Sequence, residues 1–275
     1  MMLAASLAST ARAQQTPAPE PYVVVVRASD YKFEAPTTAP AGTLTFRLEN
    51  VGQEVHHLWL VQLRHGRTYA DFLKAVDSWS APRMPEWVLD VGGPNDVSAG
   101  MTASATMTLD PGKYVMVCYV PAPDGRPHVT HGMIKELTVT STGATAAGEP
   151  NADITLRMTD YAFDLSKPIE AGAHTIRIAN GGSQSHEVVI GQLKPGKSMR
   201  QALDWLNAGQ HGTAPVIAFG GASGLATGRH EIISVDFEPG RYVFLCFIPD
   251  RKDGRPHAAH GMVKEFTVTA AIAER

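Results

Sequence analysis

Along most of the chain, apolar and polar residues alternate in short stretches bounded by Gly, Pro or Asp. The stretches 22–28, 44–48, 58–63, 103–109, 114–119 and 134–139 are rich in β-branched or aromatic residues and predict strands. Within 114–119, entered through the turn Asp110-Pro111-Gly112, alternation puts Tyr114, Met116 and Cys118 on one face. One stretch has a helical period instead: Tyr69, Phe72, Leu73, Val76 and Trp79 form a stripe behind Thr68, which can cap the helix with Asp71 at its third position. Many short strands around one helix, in a unit of about 120 residues, predict a Greek-key β-sandwich.

The pattern then repeats. Asp30-Tyr31-Lys32-Phe33 returns as Asp160-Tyr161-Ala162-Phe163, and Asn50-Val51-Gly52 followed by His56 returns as Asn180-Gly181-Gly182 followed by His186. Gly92-Gly93 is echoed by Gly220-Gly221, and the run from Asp110 to Glu136 by the run from Glu238 to Glu265, at an offset of 128 to 130 residues. The helix recurs too, with Ser198 and Gln201 as cap and Met199, Ala202, Leu203 and Leu206 as stripe. A period that long marks a duplicated domain rather than a solenoid. The expected organisation is all-β: two tandem sandwiches at 22–140 and 152–270, each with a short inserted helix, joined by a small polar linker at 141–151, with a tail at 271–275.

Composition narrows the setting. With 44% apolar residues and 19% charged ones in 275 residues, the chain fills real cores, and its net charge of −3 without a basic block argues against nucleic acid or an anionic membrane as partner. No apolar run approaches the roughly 18 residues of a membrane span. Residues 2–9 are small and apolar, and Ala11-Arg12-Ala13 offers a signal-peptidase pattern, so 1–13 reads as the remnant of a signal peptide that lacks its basic region, and 14–21 as a flexible Pro-rich lead. The expected location is the periplasm or another extracytoplasmic space. Two cysteines in an exported chain suggest a disulfide. Cys118 and Cys246 are, however, counterparts in two separately folded units, and two parallel single-thiol sites are the simpler reading.

Each repeat offers one thiol, two imidazoles and a thioether. Cys118 is followed after nine residues by His128 and then by Met133, with His56 on an earlier strand; the second set is Cys246, His257, Met262 and His186. Thiolate and thioether suit Cu(I), imidazole suits Cu(II), and a His2Cys site with a long axial Met tolerates both with little rearrangement. Such a site moves electrons one at a time. A lone strand-end Cys or a lone Met is ordinarily core packing. Recurrence of all four residue types in register argues against that here.

In this arrangement the chain resembles the cupredoxins, whose first histidine comes from an early strand and whose Cys, second His and Met share one loop between the last two strands. The loop from Cys118 to Met133, ending Pro-His-Val-Thr-His-Gly-Met, looks most like the type 1 copper loop of copper nitrite reductases. The resemblance implies that His56, Cys118, His128 and Met133 ligate one type 1 copper and His186, Cys246, His257 and Met262 a second. His131 and His260, three residues after their neighbours, are alternative ligands or rim residues. Many cupredoxins have an Asn after the first His that ties the ligand loops together; His57 and Glu187 stand there instead, so the surroundings of the ligands must differ. His57, His65, His174, His211 and His230 lack counterparts and read as surface or local hydrogen-bonding residues.

The expected function is electron transfer between unidentified redox partner proteins, by a redox centre without a substrate pocket. Val117 and Tyr119 flank Cys118, and Leu245 and Phe247 flank Cys246; without a histidine beside either cysteine there is no wiring to a second copper centre, which argues against a nitrite reductase or multicopper oxidase. Copper storage, delivery or sensing uses the same ligands. Oligomeric state and potentials are not legible in the sequence.

Overall fold

The computed structural model describes residues 19–77, 84–143, 146–208 and 212–270. The expected targeting segment 1–13, most of the expected lead, Trp79, His211, the side chain of Leu206 and the tail therefore lie outside the described residues.

Repeat one contributes β1 (Tyr22–Ser29), β2 (Lys32–Glu34), β3 (Thr38–Pro40), β4 (Gly42–Asn50), β5 (Trp59–Leu63), α1 (Tyr69–Asp77), β6 (Val88–Gly92), β7 (Thr102–Leu109), β8 (Gly112–Val117) and β9 (Ile134–Thr140). Repeat two contributes β10 (Ile154–Thr159), β11 (Ala162–Leu165), β12 (Gly172–Asn180), β13 (His186–Leu193), α2 (Met199–Asn207), β14 (Val216–Leu225), β15 (His230–Phe237), β16 (Gly240–Leu245) and β17 (Val263–Val268). All six strands expected in repeat one form. The additional β2 and β3 are three residues each, too short for a period of two to show, and β6 is buried on both faces and so does not alternate.

Both helices start with the expected reciprocal cap. Asp71 N–H donates to Thr68 Oγ1 at 3.2 Å while Thr68 N–H donates to Asp71 Oδ2 at 2.9 Å, and Ser198 and Gln201 do the same. The α1 stripe is narrower than its spacing predicts. Phe72 and Val76 are buried, but Leu73 faces solvent.

The strands form two layers, ordered β11-β10-β12-β15-β7-β4-β1-β2 and β17-β16-β13-β14-β6-β5-β8-β9-β3. Each layer runs through both repeats, so the two sandwiches are joined edge to edge rather than merely tethered. Unpaired edges of β6, β7, β14 and β15 would be exposed templates for association, and pairing them with each other removes that liability. The junction is a pseudo-two-fold. Ala105 pairs with Ile233 and Pro94 with Ala222, each with its own counterpart 128 positions on, while the reciprocal pairs Val91↔Leu225 and Val97↔Phe219 flank the axis. This is the isologous geometry of a symmetric dimer built into one chain.

The symmetry is imperfect where side chains meet. Trp59 of repeat one lies where a Cβ on Gly224 would fall, 2.0 Å from its ring, and its Nε1–H donates to Asp90 at 3.2 Å. Away from the axis, the repeated Asp/Glu-Pro-Gly-x-Tyr motif acquires a role. Tyr114 and Tyr242 are buried, and each hydroxyl donates to the carbonyl four residues earlier, at 2.8 and 2.9 Å, which closes the turn into the strand that carries the cysteine.

Candidate metal centres

β8 ends at Val117, opposite Trp59 of β5, so Cys118 emerges beside His56 and His57. The chain then leaves and returns. His128 N–H donates to the Val120 carbonyl at 3.0 Å and Val129 N–H to that of Cys118 at 2.8 Å, which seats a 3-10 turn, His128–His131, over the cysteine. Gly132 ends the turn at φ 98, a left-handed conformation suited to glycine, and the chain doubles back so that the Met133 carbonyl accepts the Cys118 N–H at 3.2 Å. Repeat two builds the same turn at His257–His260 with Gly261 at φ 97, its loop one residue longer.

The result is two convergent donor sets. His56 Nδ1 and His128 Nδ1 lie 3.1 Å apart, with Cys118 Sγ 3.5 Å from the latter. His186 Nδ1 and His257 Nδ1 lie 3.0 Å apart, with Cys246 Sγ at 3.3 Å. All six residues, and Met133 and Met262 at the ends of the turns, are fully buried. Both cysteines are free.

The chemistry of these donors fits a soft cation. Burial drives the Cys118 thiol up to about 12 and Cys246 well above its ordinary value, so the thiolate needs a positive partner. Burial, then the neighbouring imidazole, pushes His128 and His257 down to about 4, and burial also lowers His56 and His186, which leaves neutral rings with free lone pairs. Carboxyl groups hold the far proton: His56 Nε2–H donates to Asp30 at 3.1 Å, His186 Nε2–H to Asp160 at 2.5 Å and His128 Nε2–H to Glu54 at 2.8 Å. A proton fixed on Nε2 turns the Nδ1 lone pair toward the thiol.

The histidines at the rim lie elsewhere. His131 and His260 point their Nε2 at Asp124 and Asp253, each at 3.2 Å, and pack against Tyr31 and Tyr161. His174 and His230 make local bonds to Asp153 and Glu149, and His65 is exposed in a turn. His57 is buried, and its Nε2 accepts the Tyr119 N–H at 2.8 Å. Glu187 Oε1 accepts the Phe247 N–H at 2.8 Å in the same way. The positions after the first histidines thus do tie the two loops together, with other side chains than asparagine.

Several contributors were not singled out as site residues. Asp30 and Asp160 orient a histidine, Tyr31 and Tyr161 cover the second one with ring centroids 5.1 and 5.2 Å away, and Phe33 and Phe163 anchor the segment in the core. Their signal was the repeated Asp-Tyr-x-Phe, which no strand pattern required.

A cavity of about 900 Å³ lies between the repeats, walled by His57, Trp59, Asp96, Tyr119, Glu187 and Phe247 among others. Its walls come from both repeats, so one repeat alone does not encode it.

No family model and no curated protein matches the chain. Among solved structures it is similar to a reduced auracyanin from the photosynthetic bacterium Roseiflexus castenholzii, at 18% identity over 44% of this chain and 99% of that one, TM-score 0.32. It is similar to auracyanin A, a "blue" copper protein of Chloroflexus aurantiacus, at 20% identity over 44% and 99%, TM-score 0.31. A multicopper oxidase aligns at 14% identity over 90% of this chain and 88% of that one, TM-score 0.26. The architecture of this chain is all-β, two layers of strands with the same plan of strands, helix and cysteine loop in each repeat.

Proposed function

We propose that this chain is an exported one-electron carrier with a type 1 copper in each repeat, held by His56, Cys118, His128 and Met133 and by His186, Cys246, His257 and Met262. The observation that carries the reading is the twofold convergence of two imidazole Nδ1 atoms on one buried Sγ. Copper supplies a one-electron couple when bound. The chain's own part is to keep the donors in one arrangement: Asp30 and Glu54 fix the rings of repeat one, the 3-10 turn fixes the loop, and the amides of His57 and Val120 point at Sγ. A donor set that cannot relax between oxidation states favours rapid exchange with redox partner proteins.

The test is copper titration of the metal-free chain. Two ions per chain, an intense thiolate charge-transfer colour and a copper-dependent rise in melting temperature are expected. A colourless protein carrying zinc at both sites would overturn the reading. The cavity favours a second reading, a copper enzyme acting on a small molecule held between the repeats; sustained reduction of nitrite or oxygen by the copper-loaded chain would establish it, and the carrier reading expects none.

A further inference from the structure

One continuous path of hydrogen bonds links the two cysteine segments across the pseudo-two-fold axis. It starts at the residue after Cys118, where Tyr119 N–H donates to His57 Nε2 at 2.8 Å. Because that nitrogen accepts, the ring proton is on Nδ1, which donates to Asp96 Oδ1 at 3.0 Å. Asp96 N–H donates to Asn95 Oδ1 at 2.9 Å, and Asn95 Nδ2 donates across the axis to Glu187 Oε2 at 3.2 Å. Glu187 Oε1 closes the path by accepting, at 2.8 Å, the N–H of Phe247, the residue after Cys246. The backbone N–H groups of His57 and Glu187 also reach the two sulfurs, at 3.5 and 3.4 Å.

We infer that this bridge, His57–Asp96–Asn95–Glu187, couples the two donor sets so that electrons exchange between them within one chain. The inference rests on the copper reading above and adds to it a route between the centres.

Three features separate the bridge from incidental packing. Both ends attach to the same atom type in the same place, the amide directly following a ligand cysteine. Three of its four members are buried, with Asn95 at 0%, Glu187 at 4% and His57 at 5% exposure, and the fourth, Asp96, is half-buried at the cavity wall. It is also made once rather than twice: the symmetry counterparts of Asn95 and Asp96 are Ser223 and Gly224, too short to complete a second path, so the polar side chains are concentrated on a single crossing. In the exchange one electron leaves the reduced centre, which is oxidised, and enters the oxidised centre, which is reduced; no covalent bond changes and no proton is required. Different surroundings of His128 and His257 make the two centres unequal, which gives the exchange a direction.

The experiment uses the full chain loaded with copper. Cys118→Ser and Cys246→Ser first supply the absorption and spin-resonance spectra of each site alone. A pulse delivering less than one electron per chain to the oxidised protein should be followed by redistribution between the two signals at a rate independent of protein concentration. Asn95→Leu, which removes two adjoining links, should slow that phase at least tenfold while copper content and both spectra stay as they were. Asp96→Ala, which cuts a different link and leaves the Asn95 bond to the Ala222 carbonyl intact, should do the same. A second readout needs no metal: in the copper-free chain, Asn95→Leu should speed amide hydrogen exchange at both Tyr119 and Phe247, on opposite sides of the axis. An unchanged intramolecular rate in both variants overturns the inference, as does a doubly loaded chain in which redistribution occurs only by collision. A chain that binds no copper fails earlier, at the colour, and takes the reading beneath the inference with it.

Discussion

In repeat one the ring of His128 donates its Nε2–H to Glu54 at 2.8 Å, and Tyr31 donates to the same carboxyl at 2.9 Å. In repeat two Gln184 stands where Glu54 does; the acid has moved to Asp250, Tyr161 has followed it, and His257 Nε2 is buried without a partner, 3.9 Å from the displaced carboxyl. Hydrogen bonds from Tyr161 and Gln184 hold Asp250 well below the usual carboxylate range, so its charge persists nearby without fixing the ring. The duplication preserved the donor atoms and let their surroundings diverge. On the copper reading proposed above, a ring whose far N–H donates to a carboxyl is a stronger base and a better-oriented ligand, so the first centre is the one that would favour the oxidised metal.

The most drastic way to break the comparison is to delete one member of it. Cys118→Ser should abolish the charge-transfer band of the first site and lower copper from two ions to one per chain, while the second spectrum, whose ligands all lie in repeat two, is retained. Loss of both bands would mean that the donor sets depend on each other for their assembly.

Next in size is the packing asymmetry at the axis. Gly224→Ala forces a methyl group into the ring of Trp59, whereas the counterpart position in repeat one is occupied by Asp96, which carries a side chain. Overpacking against a buried indole should cost about 3 kcal/mol in denaturant unfolding. A Gly224→Ala chain as stable as its parent would show that the repeats are not held in this register.

Asp90 sharpens the same asymmetry, because Ala218 stands at its counterpart position. Burial drives its carboxyl up to about 6, against the hydrogen bonds from Ser185 and Trp59. A folded value above the unfolded one means that the native state holds the proton longer. Its contribution is therefore full below about pH 4, declines as pH rises through about 6, and is a constant penalty above that. Asp90→Asn keeps an acceptor for Trp59 without the charge, so it should leave stability at pH 4 nearly unchanged and raise it at pH 8 by roughly 2 kcal/mol. Denaturant midpoints at the two pH values read the difference; equal shifts at both would remove titration as the cause.

The smallest effect tests the opening contrast itself. Glu54→Gln gives the first site the residue of the second and should weaken copper(II) at site one about tenfold, leaving site two alone. It should also raise the first potential. Competition titrations against a chelator measure the affinity, and an unaltered value would leave the Glu54 contact without a role in binding.

The two converging His-Cys-His groups and the layered all-β fold were legible in the chain because both are repeated and local. Strand alternation, caps such as Thr68 with Asp71, the turn before Tyr114 and the spacing of Cys118, His128 and Met133 depend on neighbours a few residues away, and each appears twice in register. The surroundings of the ligands were half-legible. Asp30-Tyr31 and Asp160-Tyr161 recur visibly, but only the fold shows that residues 26 positions before a histidine orient it.

What the sequence could not disclose lies between the repeats. Periodicity shows which face of a strand is buried and is silent on which edge meets which, so the continuous layers, the pseudo-two-fold at Pro94 and Ala222 and the cavity around it emerge only when two sandwiches dock. The same holds for His57 and Glu187. Neither matches the other in the repeat, and each looks like a local substitution until the tertiary structure joins them through Asp96 and Asn95 across 92 positions of sequence between Asn95 and Glu187. Donor identity is a property of residue type and spacing, which a sequence carries; the meeting of two surfaces is decided by shape and by the polar groups that must be satisfied once water is excluded, which only the folded chain determines.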